Sequence, residues 1–66
     1  MARVRRYGYT LEWFIGDHVP HHVHVYDSKG KFLGRLDLRL MAGIEGWTPD
    51  GKLTRLVQEL RREGRL

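Results

Sequence analysis

Four histidines stand within a short stretch, GDHVPHHVHVYDSKG, at His18, His21, His22 and His24, and the chain has no others. Imidazole supports two kinds of chemistry here. As a neutral ligand it suits zinc, nickel, copper and iron, and histidines at i and i+2 of a strand point to the same side. His22 and His24 meet that condition. His18, or Asp17 beside it, could close the set from the loop, giving three protein ligands and an open position for a divalent transition metal. As acid and base, paired imidazoles can instead move protons on a phosphodiester, with Arg35 or Arg39 stabilising charge on the phosphate. The catalytic candidates are then His18, His22 and His24, and the nucleic-acid contacts are Arg35, Arg39 and Tyr26. The plain alternative is an exposed strand at His22 and His24, with Asp17 and His18 hydrogen-bonded within their loop.

Composition narrows these readings. A chain of 66 residues forms one domain, here 1–66, with a single small core and no room for a deep enclosed site. It has no cysteine, which removes disulfides and thiolate zinc sites and favours a cytoplasmic setting. The basic start MARVRRYGY leads into no apolar run of membrane-spanning length, so no membrane association is expected. A net charge of +4 favours an acidic partner such as nucleic acid or an acidic protein, or simply a well-solvated surface rich in arginine and glutamate.

The elements that must position the histidines follow from periodicity. Alternation through Tyr7, Tyr9, Leu11, Trp13 and Ile15 predicts a first strand over Arg5 to Ile15, with Phe14 facing outward. Asp17 to His21 reads as a loop broken by Pro20. His22 to Tyr26 predicts a second strand, DSKG a turn, and Phe32 to Leu40 a third strand whose Phe32, Leu36, Leu38 and Leu40 share one face. A four-residue turn pairs Val25 with Phe32 and His22 with Arg35, which sets Val23 and Val25 on the core side and His22, His24 and Tyr26 on the other. Met41 to Trp47 reads as a connection draped over the core edge. Thr48 is the expected N-cap and Pro49 the first helical residue. Leu53, Leu56, Val57 and Leu60 form an apolar helical stripe that ends before Gly64. The expected fold is therefore α+β, a three-stranded antiparallel sheet in the order β-β-β-α with the C-terminal helix on one face. Trp13, Leu36, Leu38 and the helical stripe should be buried together. The sheet's other face stays open and presents His22, His24, Tyr26, Arg35, Asp37 and Arg39, with Glu12 and Phe14 if the first strand joins the same sheet.

The phrase formed by Asp17, His18, Pro20, His22 and His24 resembles the hallmark of a small prokaryotic family labelled a domain of unknown function, with an Asp-His-x-Pro-x-His-x-His-like motif. The likeness covers most of the chain. That family has a second proline where this chain has His21, which sets His21 apart from the motif. The resemblance implies a neighbouring small protein, in an arrangement similar to toxin–antitoxin pairs, and implies no particular activity. The functional expectation is a basic module of toxin–antitoxin type that binds RNA or a small cognate partner protein, with ribonuclease chemistry at the histidines. The alternatives are a metal-binding protein using the same histidines, and an interaction module whose open sheet or edge strand pairs with a partner or a second copy.

Overall fold

Tyr7 and Gly8 both take positive φ, 55° and 80°, and Arg6 pairs with Tyr9 across them. Two consecutive positive-φ residues define the turn whose twist matches a right-handed hairpin. The expected single strand from Arg5 to Ile15 is therefore two strands, β1 (Ala2–Arg6) and β2 (Tyr9–Trp13). The computed structural model describes residues 1–14 and 22–66. Within them follow β3 (His22–Tyr26), β4 (Phe32–Asp37), β5 (Ala42–Gly43) and α1 (Gly51–Arg62). The fold is α+β with an antiparallel sheet and one C-terminal helix, as expected, but the sheet has five strands in the order β1-β2-β3-β4-β5, not three. The added strands come from the Tyr7-Gly8 turn and from Ala42–Gly43, inside the segment read as a connection.

The β3–β4 register also differs from the expected one. Val25 pairs with Gly34 and Tyr26 with Phe32, so Leu33 is an extra residue in β4 and the ladder bulges there. Parity survives on one side of the bulge and flips on the other. Val23 and Val25 are fully buried as expected. Phe32, expected in the core, is half exposed and lies against His24 and Tyr26 on the opposite face. Leu40 is 77% exposed because β4 ends at Asp37, and the Asp37 carboxylate accepts from the Arg39 and Leu40 amides to start a turn.

Helix α1 lays its buried stripe, Leu53, Leu56, Val57 and Leu60, into a core shared with Val4, Leu11, Trp13, Val23, Val25, Leu36 and Leu38. Its N-cap is Asp50, not Thr48. The Asp50 Oδ1 accepts from the Leu53 amide at 2.8 Å, and its Oδ2 accepts from the Tyr9 hydroxyl at 2.6 Å. Both residues are good caps, and only Asp50 is also anchored to β2. Gly64, at φ 76°, ends the helix as expected. Its amide donates to the Arg61 carbonyl and that of Arg65 to the Leu60 carbonyl, a Schellman closure.

The helix's polar side is more than a solvated surface. Arg6 of β1 donates to Glu63 at 2.7 and 3.0 Å and to Glu59 at 3.3 Å, the Tyr7 hydroxyl donates to Glu59, and the Arg55 guanidinium lies 5.6 Å from the Tyr7 ring centre. These contacts hold the tyrosine in its left-handed turn position, which is sterically costly for a residue with a Cβ. They also couple folding to pH. The Tyr7 hydroxyl holds the Glu59 carboxyl below its ordinary range, Arg6 does so for Glu63, and Tyr9 does so for Asp50. A carboxyl depressed in the folded state contributes stability above its unfolded value, near pH 4, and loses it as pH falls through the folded value. The same bonds push the Tyr7 and Tyr9 phenols up, so their contribution is present below about pH 10 and is lost as pH rises through the folded values. Thermal melts across pH should therefore show a neutral plateau with an acid and an alkaline limb, and Glu59→Gln should make the acid limb shallower. A melting temperature unchanged down to pH 2 would rule out this coupling.

Candidate nucleic-acid interface

With α1 on one face, the other face of the sheet displays cross-strand rows set by the register. One row runs Arg3, Glu12, His24, Arg35 across β1 to β4. The next runs Arg5, Thr10, Tyr26, Phe32. Beyond the first row His22 pairs with Asp37, and Phe14, at the end of β2, is 70% exposed. His22, His24 and Tyr26 alternate with the buried Val23 and Val25, so their placement on the open face is as expected.

The rings on this face touch in sequence. His22 and His24 stand with centroids 5.5 Å apart at a steep angle, His24 and Phe32 at 5.9 Å, and Phe32 and Tyr26 at 5.4 Å. The four rings form a continuous aromatic ladder across β3 and β4. The bulge at Leu33 makes this ladder, because without it Phe32 would turn inward.

Next to the ladder lies a hollow of about 460 Å³ lined by Arg3, Arg5, Thr10, Glu12, Tyr26 and Gly30. Arg3 meets Glu12 through both Nε and a terminal nitrogen, each on the same carboxylate oxygen, Oε2. Desolvation raises the Tyr26 phenol, the Glu12 charge and hydrogen bond add to that, and Arg3 opposes it. Arg5 makes no ion pair among the described residues. The β3–β4 turn at the rim carries Lys29 and Lys31, its backbone folded around Asp27, whose carboxylate accepts from both their amides. Attractive charge on this face therefore concentrates at Arg5 and the turn lysines.

The arginines expected to contact phosphate are placed differently. Arg35 lies opposite His24, not His22, and its backbone amide, Nε and terminal nitrogen all donate to Glu45, at 2.9, 2.9 and 2.7 Å. These bonds hold the Glu45 carboxyl below its ordinary range. A guanidinium so engaged is a poor first contact for phosphate. Arg39 lies beyond β4 in the exposed turn to β5, off the ladder. Of the histidine set, Asp17, His18 and His21 lie outside the described residues. Among the described residues no group of three His, Cys, Asp or Glu side chains could hold a metal ion, so the metal set is represented here by His22 and His24 alone. Arg3, Arg5 and Thr10, which line the hollow, and Phe32, which joins the ladder, were not placed on this face by the sequence, and the Tyr7-Gly8 dipeptide and the glycine within β4 were the available signals for them. No helix among the described residues is long and apolar enough to cross a membrane. A scan of known protein families, a search of curated proteins and a search of solved structures each find no match to this chain.

Proposed function

We propose that this protein binds single-stranded RNA along the open face of its sheet. The observation that carries the reading is the aromatic ladder His22, His24, Phe32 and Tyr26 beside Arg5, Lys29 and Lys31, which make no ion pair among the described residues. Unpaired bases offer π-faces that stack on such rings, while neighbouring cations attract the backbone without reading sequence. A duplex would hide those faces. A net charge of +4 supports the same reading, and a small RNA-binding module fits the toxin–antitoxin-like pairing that the motif resemblance implies.

Titration of a fluorescent seven-nucleotide single-stranded RNA should show binding at low ionic strength that weakens with salt. Arg5→Ala should flatten the salt slope by about one unit. Replacing Tyr26 or Phe32 by alanine should weaken binding by roughly 5- to 150-fold each, the range for loss of one stacking ring. Absence of binding at low salt, or full affinity in the Tyr26→Ala, Phe32→Ala double variant, would overturn the reading.

The same assay covers cleavage, which is favoured by one further observation. His22 and His24 are adjacent rings of the ladder, so a bound strand passes both imidazoles. One would take the 2′-hydroxyl proton as that oxygen attacks phosphorus; the other would protonate the departing 5′-oxygen, leaving a 2′,3′-cyclic phosphate. Product that persists in EDTA and is lost in His22→Ala and His24→Ala supports this step. Metal-dependent cleavage would favour the metal-binding alternative, and binding without product leaves a binding module.

A further inference from the structure

The two edges of the sheet are built differently. At one end β5 is two residues long, and the chain beyond it returns over β4. There the Ile44 amide donates to the Arg35 carbonyl and the Glu45 carboxylate accepts from the Arg35 amide. At the other end β1 runs for five residues, pairs with β2 alone and keeps an unbroken register. Neither proline nor bulge interrupts it, and charge is the remaining guard against indiscriminate pairing.

The two-residue turn at Tyr7-Gly8 fixes which backbone groups of β1 face outward. Arg6 and Tyr9, which flank it, form a hydrogen-bonded pair, and such pairs alternate along an antiparallel ladder. Ala2 and Val4 therefore direct their N–H and C=O groups to β2, while those of Arg3 and Arg5 point to the free edge. The side chains of the same two residues are exposed on the open face, whereas Arg6 lies on the helix side, bound to Glu59 and Glu63. Arg5 makes no ion pair among the described residues. Arg3 meets Glu12 through Nε and one terminal nitrogen, yet its side chain is 69% exposed. A second copy is a poor occupant of this edge. Antiparallel pairing of β1 with itself about Val4 sets each Arg3 opposite an Arg5, and like charges directly opposite destabilise a sheet.

We propose that β1 is a docking edge for an extended acidic segment of a partner protein, which adds to the sheet as a sixth strand antiparallel to β1. Main-chain hydrogen bonds run to Arg3 and Arg5, and carboxylates at alternate positions of the incoming strand face their guanidiniums. The residue between those carboxylates lies opposite Val4, which is buried at the margin of the core, and is apolar. The pattern recognised is acidic, apolar, acidic. This surface is the edge of a strand, not the face of the sheet, and does not depend on RNA binding.

The test titrates isotope-labelled protein at low ionic strength with a capped seven-residue peptide of alternating glutamate and valine, read by NMR and amide hydrogen exchange. The Arg3 and Arg5 amides should become protected, while that of Val4, already directed to β2, should change little. Arg5→Glu, at an exposed site, should weaken binding by roughly 5- to 25-fold, because it removes one cross-strand attraction and adds a repulsion, each worth up to about fivefold. A peptide methylated at its glutamate nitrogens keeps the charge, loses the main-chain donors and should bind far more weakly. Equal binding of the methylated peptide, or binding without protection of Arg3 and Arg5, would reduce the interaction to charge and overturn the edge. No binding at millimolar peptide would also overturn it. Self-association of the free protein that protects these two amides would assign the edge to a second copy instead.

Discussion

Replacing Leu56 by alanine should leave the protein largely unfolded at ambient temperature. Leu56 is fully buried at the centre of the helical stripe, between Leu53 and Leu60 and against the sheet's buried valines and leucines. Its truncation removes buried methyl groups and leaves a cavity, at a cost of about 2–5 kcal/mol. A core in a domain of this size rarely supplies more than about 3–5 kcal/mol of net stability. The single change is therefore comparable with the whole folding free energy. A circular dichroism melt on Leu56→Ala should show a transition shifted far down or absent. An unchanged melting temperature would mean that the helix does not pack by this stripe. Exposed Phe14→Ala, with its ring outside the core, serves as the control and should melt close to the parent protein.

The second large effect concerns Trp47, whose ring lies on two glycines. A Cβ at Gly43 would come within 2.4–2.5 Å of three Trp47 ring atoms, and one at Gly34 would come within 2.4 Å of the Trp47 Nε1. Neither distance is tolerated, so alanine at either site must push the indole out of its seat. Gly43→Ala should cost about 1–3 kcal/mol as overpacking. Gly34→Ala should cost more, because its φ of 141° is a conformation that side chains rarely adopt and adds backbone strain. Double-mutant cycles give the check. If Trp47 is what forbids the methyl group, Gly43→Ala combined with Trp47→Ala should cost clearly less than the sum of the two single changes. Strict additivity would remove the proposed seat. Gly34 lies next to the bulge that turns Phe32 outward. Gly34→Ala should therefore also weaken RNA binding, whereas Gly43→Ala should affect mainly stability.

This link between Trp47 and Phe32 shows where sequence reasoning reached its limit. The glycine in GKFLGRLD was visible, but a glycine within a strand signals a bulge only in general terms. Which residue becomes the extra one depends on the partner strand and on the indole that covers the glycine. Phe32 was accordingly assigned to the wrong face, and with it the ring that links His24 to Tyr26 in the ladder was missed. Arg35 illustrates the same limit for charge. Its place on the open face was legible from alternation, while its capture by Glu45, ten residues on, required the turn into β5 to bring that carboxylate back.

The sequence by itself determined the features that depend on period and local chemistry. Alternation placed His22, His24 and Tyr26 opposite Val23 and Val25, because side chains on a strand change face at every residue. The leucine and valine stripe oriented α1 on the sheet, and Gly64 marked its end, because few other residues adopt the positive φ that closes a helix. Tertiary structure alone decided the rest. Tyr7 occupies a turn position that favours asparagine or glycine because its hydroxyl and ring are held by Glu59 and Arg55 of the helix. Asp50 displaces Thr48 as the helix cap because Tyr9 of β2 reaches it. In each case a contact between residues distant in the chain selects a conformation that local preference alone does not.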